Sequence, residues 1–261
     1  MTFADAKQRF STKVADYVRY RPSYPASVIN LLRAEGGLRP EHVVVDVGSG
    51  TGVLSKLFLE NGNRVIGVEP NDEMRHAGDE LLSSFKSFSS VNGSAEATTL
   101  PDASADFITV AQAFHWFEPI STRGEFLRVL RPEGFVVIVW NDRQLDTTPF
   151  LRDYESMLHR FGTDYAKVNE SYPRRSQIQE FFAPNSFAHK TFPNFQKFDL
   201  DGVRGRLRSS SYVPGAQNPA FAPMMTELER IFNAHQQNGE VSMDYTTHVY
   251  YGRLAATRNS G

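Results

Sequence analysis

Apolar positions in this chain fall into short unbroken runs separated by stretches with helical spacing. The first run, His42-Val43-Val44-Val45-Asp46-Val47, is rich in β-branched residues and predicts a strand covered on both faces. A glycine-rich turn follows, and Val53 to Glu60 then carries helical periodicity. Asn61-Gly62-Asn63 ends that helix, and Arg64-Val65-Ile66-Gly67-Val68-Glu69 predicts a second strand, completing one βαβ unit. The alternation continues with a helix from Asp72 to Leu82, a weaker strand from Phe88 to Val91, and a strand from Phe107 to Ala113 that runs into an aromatic cluster. A helix over Thr122 to Leu130 and the turn Arg131-Pro132-Glu133-Gly134 lead to the most apolar strand, Phe135 to Trp140. Strands alternating with helices in this way call for an α/β fold: a doubly wound, mainly parallel sheet covered on both sides.

The flanking regions read differently. Within an N-terminal segment, residues 1–35, positions 1–24 alternate charge with aromatics, and Pro22 and Pro25 stop any helix before a second one, Ala26 to Glu35, begins. After the core, residues 36–147, the pattern loosens. Residues 148–182 look helical and aromatic-rich, 183–200 have loose strand-like order, and Met225 to Gln236 is helical. Residues 148–240 are therefore expected to form a substrate-facing cap. The stretch Val241 to Tyr251, within the final segment 241–261, alternates like a strand that closes the sheet.

Composition narrows the function classes. With 261 residues and 40% hydrophobic content the chain can bury a substantial core. A formal net charge of -2 provides no field to attract nucleic acid or an acidic membrane, so neither is expected as a partner. The absence of cysteine excludes a thiol nucleophile, a disulfide and cysteine-ligated zinc, and with a polar N-terminus and no long apolar span leads us to expect a soluble, cytoplasmic protein.

The strongest local signal is Asp46-Val47-Gly48-Ser49-Gly50-Thr51-Gly52, set between a buried strand and a helix. Glycines there let a ligand approach the backbone closely. A dinucleotide loop of the G-x-G-x-x-G kind would place its third glycine where Val53 stands, and no Lys-Ser/Thr pair follows to make a phosphate cradle. The pattern fits a ligand without phosphates. Glu69, at the end of the second strand, stands where a carboxylate can accept hydrogen bonds from both ribose hydroxyls, which suits an adenosine.

With Gly67-Val68-Glu69-Pro70, Gly93-Ser94-Ala95-Glu96, Leu100-Pro101-Asp102 and Ala111-Gln112-Ala113-Phe114-His115-Trp116-Phe117 added to that loop, residues 40–141 resemble the class I S-adenosylmethionine-dependent methyltransferases of the type 11 domain group. The family's usual glycine is replaced by Glu133 in the Arg131 to Gly134 turn. The resemblance implies a seven-stranded Rossmann-like sheet, methylation of a small molecule, and S-adenosyl-L-methionine as cofactor. It also implies that Asp46, Gly48, Ser49, Gly50 and Gly52 hold the methionyl end, Glu69 the ribose, and Pro70 with Asn71 the edge of the adenine. Ala95 and Glu96 would lie at the adenine, and Gln112 and Ala113 at the methionyl amine and sulfonium. Tyr17, Tyr20 and Arg21 resemble the N-terminal segment that folds over the cofactor.

For a hydroxyl, amine or thiol acceptor, His115 is the candidate general base, with a structural histidine as its competing reading; a carboxylate acceptor needs no base. Trp116, Phe114 and Tyr20 are candidates to face the sulfonium through cation–π attraction. Arg143, Arg174, Arg175, Arg204, Arg206 and Arg208 could clamp an acid or form solvated faces. Phe181, Phe182, Phe187, Phe192, Phe195 and Phe198 could line an apolar pocket, with plain core packing beneath the cap as the default reading. His159, His189, His235 and His248 lack metal-site spacing and carboxylate neighbours in sequence, so no metal is expected. A cofactor-binding protein that acts through interactions rather than catalysis is the alternative in a different class.

Overall fold

The computed structural model describes residues 19–163, 165, 175–210 and 212–255. Its centre is a seven-stranded sheet with the order β3-β2-β1-β4-β5-β7-β6. The strands are β1 (Val43–Val47), β2 (Arg64–Val68), β3 (Phe88–Val91), β4 (Ala105–Ala111), β5 (Leu130–Arg143), β6 (Ala188–Phe198) and β7 (Val241–Gly252). The first five pair in parallel, whereas β7 runs antiparallel to both β5 and β6. This is the Rossmann-like, doubly wound sheet expected from the sequence.

Because successive side chains of a strand point to opposite faces, each apolar strand feeds two cores. Val44, Val65, Phe107, Val137 and Val139 meet α1 (Ser27–Glu35) and α2 (Val53–Glu60) through Leu32, Leu54 and Phe58. Their neighbours Val45, Ile66, Ile108, Val136 and Ile138 face the other side, where Phe126 and Val129 of α4 (Pro119–Val129) pack with Ile178, Phe181 and Phe182 of α6 (Arg175–Phe182). Helix α3 (Asp72–Leu81) links β2 to β3.

A third core forms the cap. It joins α5 (Pro149–Phe161), α7 (Leu200–Arg208) and α8 (Phe221–His235) to the near ends of β6 and β7, through Leu151, Tyr154, Met157, Leu207, Leu228, Ile231 and Met243. Residues 148–240 are therefore not cap throughout, since α6 belongs to the sheet's helical layer and β6 is an edge strand of the sheet itself.

Several boundaries shift for identifiable reasons. Helix α4 starts at Pro119 rather than near Thr122, because Glu118 caps it by accepting from the Ile120 and Ser121 amides and proline is tolerated in the first turn. Strand β5 reaches back to Leu130 through a register irregularity against Ala105 and Phe107, so the Arg131 to Gly134 stretch is part of the strand. Glu133 has φ +71°, a left-handed conformation at the position where the resembled family carries glycine. Strand β4 ends at Ala111 rather than Ala113, because Gln112 turns to φ +54°. Helix α7 was hidden in the sequence by Gly202 and Gly205, although Asp199 caps it and Leu200, Val203 and Leu207 share one face.

Candidate active site

The carboxyl ends of β1, β2, β4 and β5 lie along one edge of the sheet, the edge at which open α/β sheets bind ligands. At the end of β1 the chain turns through Gly48, Gly50 and Gly52, which have φ of +67°, +56° and +79°. Gly48 and Ser49 donate their amides to the Val68 carbonyl at 2.8 and 3.2 Å, which draws the loop down against the end of β2. A Cβ at position 48 would lie 2.7 Å from Ala113 Cβ, and one at 52 would lie 2.5 Å from Leu82 Cδ1. Both positions therefore exclude side chains, and the loop presents backbone at the ligand edge. Ser49 folds back over Gly67, its Oγ filling the place where a Cβ at 67 would stand.

Glu69 is buried beside this loop, and its two carboxylate oxygens accept the amides of Gly50 and Asn71, each at 2.9 Å. Those bonds fix the carboxylate at the mouth of the loop. Asn71 caps α3 by accepting from the Glu73 and Met74 amides, so the turn carrying Pro70 and Asn71 is held rigidly. Asp46 is turned the other way, fully buried beneath the loop, where it accepts from Ser55 Oγ at 2.6 Å and Thr109 Oγ1 at 2.9 Å. Burial pushes its pKa up from 3.8 to about 6, with the charge of Glu69 adding to the rise. Asp46 thus anchors the loop to α2 and β4. Ser55 and Thr109, its partners, had no signal in the sequence beyond lying on apolar elements.

At the end of β4, Gln112 exchanges two hydrogen bonds with the main chain of Asn141: Oε1 accepts its amide at 2.9 Å and Nε2 donates to its carbonyl at 3.3 Å. The left-handed turn at Gln112 and this clamp set Ala113 against Gly48. A non-glycine residue in that conformation is a mark of local constraint. Ala95 is buried in the sheet core, and Glu96 accepts from the Glu118 amide at 3.0 Å, so its carboxylate supports the start of α4. His115 lies between Trp116 and Trp140, with ring centroids 4.3 and 5.2 Å away. Its Nδ1 is buried without a hydrogen-bond partner among the described residues, and burial lowers its pKa to about 4. Phe114, a candidate to face the ligand, is instead turned into the core against Phe181.

The N-terminal segment lies between the sheet and the cap. Asn141 and Asn194 both donate to the Ser23 carbonyl, Gln196 donates to the Tyr20 carbonyl, and Arg21 donates to the Ser209 carbonyl. The Tyr20 ring packs on Gly205 of α7, so this residue, expected at the cofactor, sits against the cap. Tyr17 and Arg174 lie outside the described residues.

The remaining arginines separate into two groups. Arg204 pairs with Asp201 and Glu229 near the surface, and Arg175 and Arg208 are exposed. Arg143 and Arg206 are buried beneath the cap. Two histidine contacts were not shown by spacing, His235 with Asp153 at 2.7 Å and His189 stacked on His248, whereas His159 meets Glu155 at 3.1 Å across the i, i+4 spacing of α5. Of the phenylalanines, Phe181 and Phe182 belong to the sheet core, Phe198 to the cap, and Phe195 is 63% exposed.

A family model described as a methyltransferase domain matches residues 45–138, the span from β1 through most of β5. Over 248 residues the chain is 33% identical to an uncharacterized methyltransferase-like protein of Schizosaccharomyces pombe, covering 92% of this chain and 93% of the relative. The chain belongs to the methyltransferase family. The methyltransferase also shares its fold with a candidate type II methyltransferase of Anaeromyxobacter dehalogenans, at a TM-score of 0.65 and 21% identity over 91% of this chain and all of the other. A second fold relative is a candidate S-adenosyl-L-methionine-dependent methyltransferase of Methanococcus maripaludis, with a TM-score of 0.50 and 18% identity over 72% and 85% of the two chains. The matched segment of the methyltransferase includes every residue of the loop, the Glu69 turn and the end of β4 described above.

Proposed function

We propose that this methyltransferase binds S-adenosyl-L-methionine at the carboxyl edge of β1, β2 and β4 and transfers its methyl group to a small-molecule acceptor seated under the cap. The observation that carries the reading is the Gly48 to Gly52 loop held against a buried Glu69 whose carboxylate is aimed by two backbone amides. A loop whose first and last glycines admit no side chain suits close approach of a ligand, and a fixed carboxylate suits a ribose diol. The sulfonium, when bound, supplies an electrophilic methyl carbon with a neutral thioether as leaving group.

The chain's own task is then to position, to exclude water and to settle the proton. Gln112 and Ala113 would hold the methionyl amine and sulfonium, and Asn71 and Pro70 would border the adenine. In-line placement under a cap accounts for much of the acceleration in such a site, up to about 7–11 kcal/mol in favourable cases. His115 is neutral at pH 7, and its buried environment opposes the imidazolium it would become on accepting a proton. Such a weak base suits a self-ionising acceptor such as a carboxylate better than a hydroxyl.

Release of S-adenosylhomocysteine tests the reading. The full chain incubated with S-adenosyl-L-methionine and a panel of carboxylic acids and phenols is expected to release the product only when an acceptor is present. Binding of the cofactor with no release on any acceptor would favour the alternative of a non-catalytic binding protein.

A further inference from the structure

Beneath the cap lies a polar cluster that the methyl-donor site does not use. Arg206 of α7 is 5% exposed and donates through Nε to Tyr245 Oη at 3.1 Å and through a terminal nitrogen to Ser210 Oγ at 2.9 Å. All its hydrogen-bond partners among the described residues are neutral. Arg143, at the carboxyl end of β5, is 8% exposed and shares Glu155 with Tyr165. Of the two guanidinium groups, only that of Arg143 has a carboxylate partner among the described residues. Tyr154 of α5, 1% exposed, has the Arg143 guanidinium 5.2 Å from its ring centroid and feels the charge of Arg206 as well. Its hydroxyl has no hydrogen-bond partner among the described residues.

Among the described residues, then, the cluster holds a buried guanidinium without a carboxylate partner and a buried hydroxyl without any partner, each of them unfavourable and rarely kept without use. Burial alone would raise the Tyr212 phenol, but the charges of Arg206 and Arg143, with a hydrogen bond from Ser210 and the charge of Arg21, outweigh it and hold that phenol below its usual range, as an electropositive enclosure would. Position adds to the argument. Arg143 lies two residues beyond Asn141, whose main chain is clamped by Gln112 of the methyl-donor site, and Tyr245 is its register partner on β7.

We infer that Arg206, Arg143 and Tyr154 form a carboxylate-binding subsite under the cap, so that the methyl acceptor is a small organic acid. The guanidinium fork of Arg206 takes the carboxylate oxygens, Tyr154 donates its hydroxyl to one of them, and Arg143, tethered by Glu155, supplies the second positive charge. This rests on the methyltransferase reading of the neighbouring edge for the identity of the ligand as acceptor, whereas acid binding can be measured with or without the cofactor.

The test titrates the full chain, alone and saturated with S-adenosylhomocysteine, with succinate, glutarate, benzoate and phenylacetate and with the corresponding neutral amides. At least one acid is expected to bind ten-fold or more tightly than its amide. That preference is expected to disappear in Arg206→Gln and to weaken several-fold in Tyr154→Phe, which removes a hydroxyl that no described protein group uses. The melting temperature of Tyr154→Phe without ligand is expected to stay level or rise, a result that separates a binding role from a structural one. Acids that bind no better than their amides would overturn the subsite, as would acid binding insensitive to both substitutions. Failure of S-adenosylhomocysteine to bind would strike the methyltransferase reading of the β1–β2–β4 edge and leave the acid-against-amide comparison to stand or fall independently.

Discussion

Asp46 shows how a residue of the loop motif can hold the loop itself in place. Its carboxylate is wholly enclosed and bonded to Ser55 and Thr109, so it couples the first strand of the loop to the helix after it and to β4. Because its folded pKa, about 6, lies above its ordinary 3.8, the folded state holds this proton more tightly than the unfolded chain. The stabilising effect is therefore fully present at low pH, declines as pH rises from about 4 to about 6, and is lost above that. The gap corresponds to about 3 kcal/mol at 1.36 kcal/mol per tenfold change in proton affinity. Asp46→Asn, which cannot ionise, is expected to gain roughly that amount relative to the parent between pH 4 and pH 7, measured as the difference between their denaturant unfolding free energies. A difference that does not change with pH would show that the Asp46 carboxyl is not strained by burial.

Among the elements, α7 and the segment at residues 20–23 carry the connection between cap and sheet. A Cβ at Gly205 would stand 2.1 Å from the Tyr20 ring, so Gly205→Ala must push the segment away. Overpacking of this kind costs about 1–3 kcal/mol, against a gain of up to about 1 kcal/mol from alanine's helix propensity. We expect Gly205→Ala to lower the melting temperature, and Gly205→Ala combined with Tyr20→Ala to recover stability relative to Tyr20→Ala alone. Additive effects of the two substitutions would contradict the contact. This contact also marks the limit of what the sequence revealed. The βαβ elements were legible because short β-branched runs and capped helices carry their periodicity locally. Helix α7 was not, because two glycines within nine residues lower its helix propensity. Tyr20 was expected at the cofactor through a resemblance, and its placement on Gly205 depends on a contact 185 positions away that no local pattern encodes.

At the scale of the whole molecule, the carboxyl edge of the sheet brings the glycine loop, the Glu69 turn, the Gln112 clamp and the Arg143 end of β5 into one row, with the cap core above β5 and β7. The donor half of this row was readable in the sequence, since its glycines and acid sit at fixed offsets from strand ends. The acid-binding half was visible only as a scatter of arginines. Burial separates Arg143 and Arg206 from the surface pairs of Arg204, and burial is a property of the assembled fold. The account stands on the donor half. The measurement that addresses it most directly is isothermal titration of the full chain and of its Glu69→Ala variant with S-adenosyl-L-methionine, with NADH as the control ligand. The account predicts binding by the parent chain, at least ten-fold weaker binding by the variant, and none of NADH. A folded chain that fails to bind S-adenosyl-L-methionine, or that binds it equally well without the Glu69 carboxylate, would contradict it.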